Sequence, residues 1–168
     1  MSDDATLRDH VRYVLEGGGA HMGPADVLKD IPPELRGGKP EGLPYTPWRL
    51  LEHMRIAQHD ILEYTLDPAG WESPDWPDGY WPDTLGPPNE EDWANSIDAF
   101  LADNRRMREL VTDPQTSLLE PLPDTPGHTV LRQALLAADH NAYHIGQLLT
   151  VRRLLGLEAS DGQAPDNL

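Results

Sequence analysis

The sequence predicts an all-α protein, a four-helix bundle with long connections rich in proline and tryptophan. Three observations carry this expectation. Four long stretches place apolar residues at helical spacing. No run alternates apolar and polar residues with period two for more than about four residues, so no half-buried strand is expected. The 17 prolines and 14 glycines cluster between the four stretches. A length of 168 residues suits one domain with a core of its own, so residues 1–168 are read as a single unit.

The first helix is expected over 3–16, where Leu7, Val11, Val14 and Leu15 form one stripe and Gly17-Gly18-Gly19 stops the chain. A short helix fits 24–30. Residues 31–46 hold Pro32, Pro33, Gly37, Gly38, Pro40, Gly42 and Pro44 and are expected as loop. The second long helix starts with Thr46 as N-cap and Pro47 in its first turn, and ends at Leu66 before Asp67-Pro68. Residues 67–88 carry Trp71, Trp76, Tyr80 and Trp81 among prolines. A long loop in a compact domain has a task or is disordered, and these aromatics argue against disorder. This loop either covers the mouth of a site or caps the end of the bundle.

The third long helix spans 89–111, with the stripe Trp93, Ile97, Phe100, Met107 and Val111 and with Asn104 inserted in it. Glu90, Glu91 and Asp92 suit the positive end of its dipole, and Pro114 ends it. The fourth spans 129–155, with Arg152 and Arg153 in its last turns facing the negative end and Gly156 following as C′. The two long connections, 31–46 and 67–88, allow a topology other than simple up-down-up-down.

Charge narrows the function. Acidic residues number 29 and basic ones 13, a formal charge of −16. Such a field repels phosphate backbones and anionic lipid, so neither nucleic acid nor membrane is an expected partner. No apolar run approaches the ~20 residues of a membrane span. With no cysteine, disulfides, thiolate metal sites and a cysteine nucleophile are excluded. The N-terminal residues show neither a basic nor an apolar leader segment, so a cytoplasmic location is expected.

The seven histidines sort by position. His140 and His144, spaced i, i+4, share the fourth-helix face that reads Leu136, Ala137, His140, His144, Leu148, Val151, Leu155. His53 sits among Leu50, Ala57, Ile61 and Tyr64 on the second long helix. His59 lies about 240° around that helix from His53 and is expected to pair with Glu63 on a solvated face. Imidazoles at core positions must satisfy two nitrogens each, and charging them there is costly. One divalent metal ion, zinc or nickel by the ligand set, resolves both problems and leaves an open position for water or substrate. The competing reading has no metal, with the histidines satisfied by one another and by water. Ligand imidazoles must be neutral, so metal affinity is expected to drop below about pH 6.

The pair is not a zincin motif, because Asn141 stands where a glutamate base is needed. Asn104, Gln147 and His10 are candidates for contacts behind the metal or in the pocket. Asn104 is read either as a partner of a ligating histidine or of substrate, or as a buried amide bonded to backbone. Asp60 is expected in solvent and Tyr143 between helices. Gly146 suggests a close neighbour, since glycine costs ~1 kcal/mol against alanine in a helix interior.

Two segments resemble the DinB-like family of small metal-binding bundles, which includes YfiT-type bacterial proteins. They are Ala138-Asp139-His140-Asn141-Ala142-Tyr143-His144-Ile145-Gly146-Gln147, followed by Arg152-Arg153-Leu154-Leu155-Gly156, and Trp48-Arg49-Leu50-Leu51-Glu52-His53-Met54. The resemblance implies a four-helix bundle, often a homodimer, with His53, His140 and His144 holding one divalent metal. It also implies kinship with thiol-dependent transferases and isomerases that use the low-molecular-weight thiols bacillithiol, mycothiol or glutathione. The chain has no basic cluster built to hold an acidic thiol; Arg49 and Arg55, near His53, are the candidates to offset the negative field.

Two functional classes follow. One is a metal-dependent enzyme acting on a small-molecule substrate, as a thiol S-transferase or as a hydrolase, the latter lacking an evident base. The other is a non-catalytic, metal-stabilised module binding a small molecule or a protein in a stress response. A fourth protein ligand, such as His10, would favour the second.

Overall fold

The computed structural model of the protein describes residues 2–157. Five α-helices are present among the described residues: α1 (Asp3–Glu16), α2 (Pro24–Leu28), α3 (Pro47–Leu66), α4 (Glu90–Thr112) and α5 (Val130–Leu154). Among the described residues no β-strand forms. The architecture is an all-α bundle of four long helices, as the periodicity requires.

Side chains at the N-caps set the helix starts. The hydroxyls of Ser2, Thr46 and Thr129 accept from the amides of Ala5, Arg49 and Arg132, and Asn89 accepts from Asp92. The C-terminus of α5 closes on Gly156 at φ 81°, where a side chain would be strained. Its amide donates to the Arg153 carbonyl, and that of Leu157 to the Arg152 carbonyl.

α3 packs on α4 and α5, and α1 packs on the same two, so α1 and α3 lie across a diagonal. Cross-helix bonds give the directions. Gln58, His59 and Glu63 of α3 bond to Phe100, Asp103 and Arg106 of α4, so both numberings rise together and the helices run parallel. His53, Gln58 and Tyr64 meet His144, Asn141 and His128, so α5 runs antiparallel to α3. A parallel pair demands a connection that returns along the bundle. Residues 67–88 supply it: Trp71 bonds to Asp60, the Tyr80 carbonyl to His53, Thr84 to Trp48, and the Leu85 carbonyl to Thr46. The topology is therefore not up-down-up-down. The full crossover is 67–88; residues 31–46 do not cross, because α2 has already carried the chain to the end where α3 starts.

Two apolar clusters form the core. One joins α2 to the first half of α3, with Leu50, Leu51, Met54, Phe100 and Leu148 at its centre. The other joins α1 to the far halves of α3 and α4 through Val11, Leu15, Leu62, Met107 and Val111. Between them lies a buried amide chain. Asn141 donates to Gln58 Oε1, Gln58 donates to the Phe100 carbonyl, and Asn104 donates to the Leu15 carbonyl and to Gln58 Oε1.

Several side chains depart from the sequence expectation. Val14 and Leu136, read as stripe residues, are exposed, since each sits at the edge of its stripe. Tyr143 is 63% exposed rather than packed between helices. Gly146 has nothing within 4 Å of where a Cβ would stand, so within this chain it meets no close neighbour. Arg8 and Arg152 are buried. Arg8 caps the end of α4, donating to the carbonyls of Val111, Asp113 and Thr116. Arg152, in the last turn of α5 as expected, donates to the Val27 and Lys29 carbonyls, both at 2.6 Å, and so docks α2 on α5. Arg152→Met is expected to cost about 2–3 kcal/mol, because two charge-assisted bonds are lost and two carbonyls are stranded. Urea unfolding checks this; an unchanged midpoint would show that α2 docks by apolar contact alone.

Candidate metal centre

The antiparallel crossing of α3 and α5 brings three histidines to one point. His53 projects from α3, and His140 and His144 from successive turns of α5. Their Nε2 atoms converge: His53 to His144 is 3.1 Å, and His53 to His140 is 3.1 Å. One ligand atom from each of the three lies within 4.8 Å of the others. His53 and His144 are buried and His140 is half-buried.

Hydrogen bonds behind the rings set the protons. The Tyr80 carbonyl can only accept, so the Nδ1–H of His53 donates to it at 2.8 Å and leaves Nε2 a bare lone pair. The Nδ1–H of His144 donates to Gln147 Oε1 at 2.7 Å, with the same result. Two lone pairs thus face each other at 3.1 Å. A neutral His140 carries a single proton and cannot satisfy both. Its Nδ1 is buried and makes no hydrogen bond of good geometry. A divalent cation at the point of convergence satisfies all three Nε2 atoms at once, and tetrahedral zinc, with Zn–N of about 2.0–2.1 Å, spaces its ligands about 3.3 Å apart. The residues fit a metal ion.

Electrostatics prepare the set in the neutral form that ligation requires. Burial holds His53 below the usual histidine range, against the pull of the Tyr80 carbonyl. Burial also lowers His144, with Gln147 opposing and His53 assisting. His140 is pushed down to about 4 by burial, then by the charge of His144 and His53, against a weaker approach from Asn141.

The crossover loop walls the centre. Trp81 lies parallel on the His53 ring, centroids 3.8 Å apart, and Tyr45 stacks on Trp81 at 5.8 Å. Asp60, expected in solvent, anchors this loop: it accepts from Trp71 Nε1 at 2.8 Å and from the Tyr80 hydroxyl at 2.7 Å. Burial and Asp60 raise the Tyr80 hydroxyl to about 12, so it stays a donor. The loop walls the His53 side of the centre and also bonds to Trp48 and Thr46 at the start of α3. Trp81, Tyr80 and Asp60 were not legible as site residues; the only signal was the density of aromatics in an otherwise proline-rich loop. Asp60→Ala releases both anchors, and metal affinity is expected to fall about tenfold, as when a group orienting a ligand is lost. Competition with a chromophoric chelator measures it; unaltered affinity would mean that His53 needs no loop to orient it.

The other expected contacts divide. Gln147 stands behind His144. Asn104 does not reach the histidines; it belongs to the amide chain, because its turn of α4 faces Gln58 and Leu15. His10 is exposed on α1 and joins no metal-binding group among the described residues. His59 pairs with Asp103 at 2.8 Å rather than with Glu63, whose carboxylate takes Arg106, because parallel packing lays α4 against that face. Arg55 is held by Glu52 through two bonds of 2.7 and 2.9 Å. Arg49 stays by the site, its guanidinium 5.5 Å from the Trp81 ring centre.

Comparison with curated proteins and with solved structures finds no match. A family model does match, over residues 25–148, under the description DinB superfamily. That span runs from α2 to the last third of α5, takes in His53, His140 and His144 and the loop that walls them, and covers well over half of the sequence: the chain belongs to the DinB superfamily.

Proposed function

We propose that this protein is a metal-dependent enzyme acting on a small molecule, with zinc or nickel held by His53, His140 and His144, and that its reaction is thiol S-transfer. One observation carries the reading. Three neutral imidazoles converge and no fourth histidine or carboxylate joins them among the described residues, so a coordination position stays open. When bound, the metal supplies a lowered pKa to a thiol or water in that position.

The side chains divide the remaining work. Tyr80 and Gln147 hold the tautomers of His53 and His144. Trp81 excludes water from the His53 face. Among the described residues no carboxylate joins the triad to take a proton from water, which favours a thiol over hydrolysis. The thiol loses its proton to solvent, sulfur attacks the electrophilic carbon, the C–S bond forms and the leaving group departs with its electron pair. The reading includes the cytoplasm and a homodimer.

The test uses metal-loaded protein, monobromobimane and, in turn, glutathione, mycothiol and bacillithiol. Conjugation above the free-thiol rate is expected with at least one of them. The acceleration is lost in His144→Ala and kept in His59→Ala. No acceleration with any thiol moves the assignment to a non-catalytic binding module.

A further inference from the structure

Arg49 is the observation that the reading above does not use. Its side chain is half-buried, and its Nε is enclosed without a hydrogen-bond partner. Neither an ion pair nor a side-chain hydrogen bond holds its guanidinium among the described residues. Scarcity of carboxylates does not explain this, since the chain has 29 acidic residues. Its neighbours on α3 and the adjoining loop find theirs: Arg55 takes Glu52, and Arg36, also over a tryptophan, takes Glu90. Leaving an enclosed Nε–H without an acceptor is costly, and a ring face does not satisfy it.

Its position is specific. Arg49 precedes His53 by one turn on the same face of α3, which puts the two Cβ atoms about 5–6 Å apart. Trp81 links them, lying parallel on His53 and carrying the Arg49 guanidinium 5.5 Å from its ring centre. Stacking on an aromatic ring orients a guanidinium, and its planar fork of donors matches a carboxylate.

We propose that Arg49 and Trp81 form a carboxylate-binding subsite beside the histidine centre, and that the small molecule acted on there carries one carboxylate within a few bonds of its metal-binding atom. The proposal rests on the functional reading above and names its substrate class. One arginine in a field of −16 compensates one negative charge, so a monocarboxylate is favoured over a multiply anionic thiol.

Titration calorimetry on the zinc-loaded chain tests this with two matched probe pairs, 3-mercaptopropionate against 2-mercaptoethanol and imidazole-4-acetate against imidazole. The wild type is expected to prefer the acid in each pair by about tenfold or more, as one charge-assisted contact gives. In Arg49→Met the preference collapses to near unity while the zinc content holds, and Arg49→Lys restores part of it. A wild-type preference near unity overturns the proposal, as does a preference that survives Arg49→Met. Equal loss of acid and neutral probe in Arg49→Met also overturns it, since that marks a residue that only props Trp81. Failure of the enzymatic reading looks different: probes bind with the expected preference, yet no electrophile is consumed. If neither thiol binds, thiol transfer fails and the imidazole pair alone decides the subsite. A chain that takes up no zinc overturns both.

Discussion

Protein purified without a histidine tag is expected to carry about one divalent ion per chain, and His53→Ala, His140→Ala and His144→Ala are each expected to lose it. The geometry puts the three on an equal footing, because each offers one Nε2 to a single point. Loss of a group that merely orients a ligand costs about 10–100-fold in affinity, so loss of a ligand is expected to exceed 100-fold. Elemental analysis of the wild type and of each variant is the measurement. His10→Ala serves as a control with full occupancy, being exposed on α1 and in no metal-binding group among the described residues. Occupancy that survives the triple substitution would remove the site. Metal uptake is also expected to raise the melting temperature, since an ion that binds the folded chain at 1,000 times its Kd adds about 4 kcal/mol. A chelator reverses the gain in the wild type and does nothing to the triple variant.

Metal-free protein is expected to lose stability as the pH falls from about 6.5 toward 4. All three histidines are held below their ordinary value of 6.5, and His140 reaches about 4. In the unfolded chain they bind protons near 6.5, so between these limits the unfolded state binds more protons than the folded one. Stability therefore rises with pH across the window and is lost as the pH falls through it. His140 contributes about 2–3 kcal/mol, discounted for its partial exposure. Urea midpoints from pH 7 to pH 4, with His140→Phe beside the wild type, measure it; the substitution is expected to flatten the dependence. The same low values delay proton competition for the metal. Affinity is then expected to begin falling below the pH 6 that unperturbed imidazoles imply. A slope in the metal-free protein identical to that of His140→Phe would place the acid sensitivity elsewhere.

How much of this was legible varies by element. The helices were, almost to the residue, because caps and breakers are local. Thr46-Pro47 opens α3 and Asp67-Pro68 closes it through groups that lie beside each other in the chain. The shared face of His140 and His144 was legible for the same reason, since i, i+4 is a property of one helix. Their meeting with His53 was inferred from core position and from the resemblance, not from spacing.

Arg8 and Arg152 were missed because arginine reads as surface until a neighbouring helix offers it carbonyls. Asp60 was missed because its partners, Trp71 and Tyr80, return to it by way of a loop whose path has no periodicity. His59 was assigned the wrong carboxylate because Glu63 is near in sequence while Asp103 is near in space.

The sequence by itself determined where the helices begin and end, which of their faces are apolar, the formal charge of −16, and the three histidines at core positions. Only the tertiary structure decided that α3 and α4 run parallel, that the crossover between them lays Trp81 on His53, and that the Arg49 Nε is left beside that ring without a hydrogen-bond partner among the described residues. The physical reason is range. Capping and periodicity act within a turn or two and are written in adjacent residues. Loop path and cross-helix partners follow from how whole faces pack, and many sequence-distant residues share in that outcome.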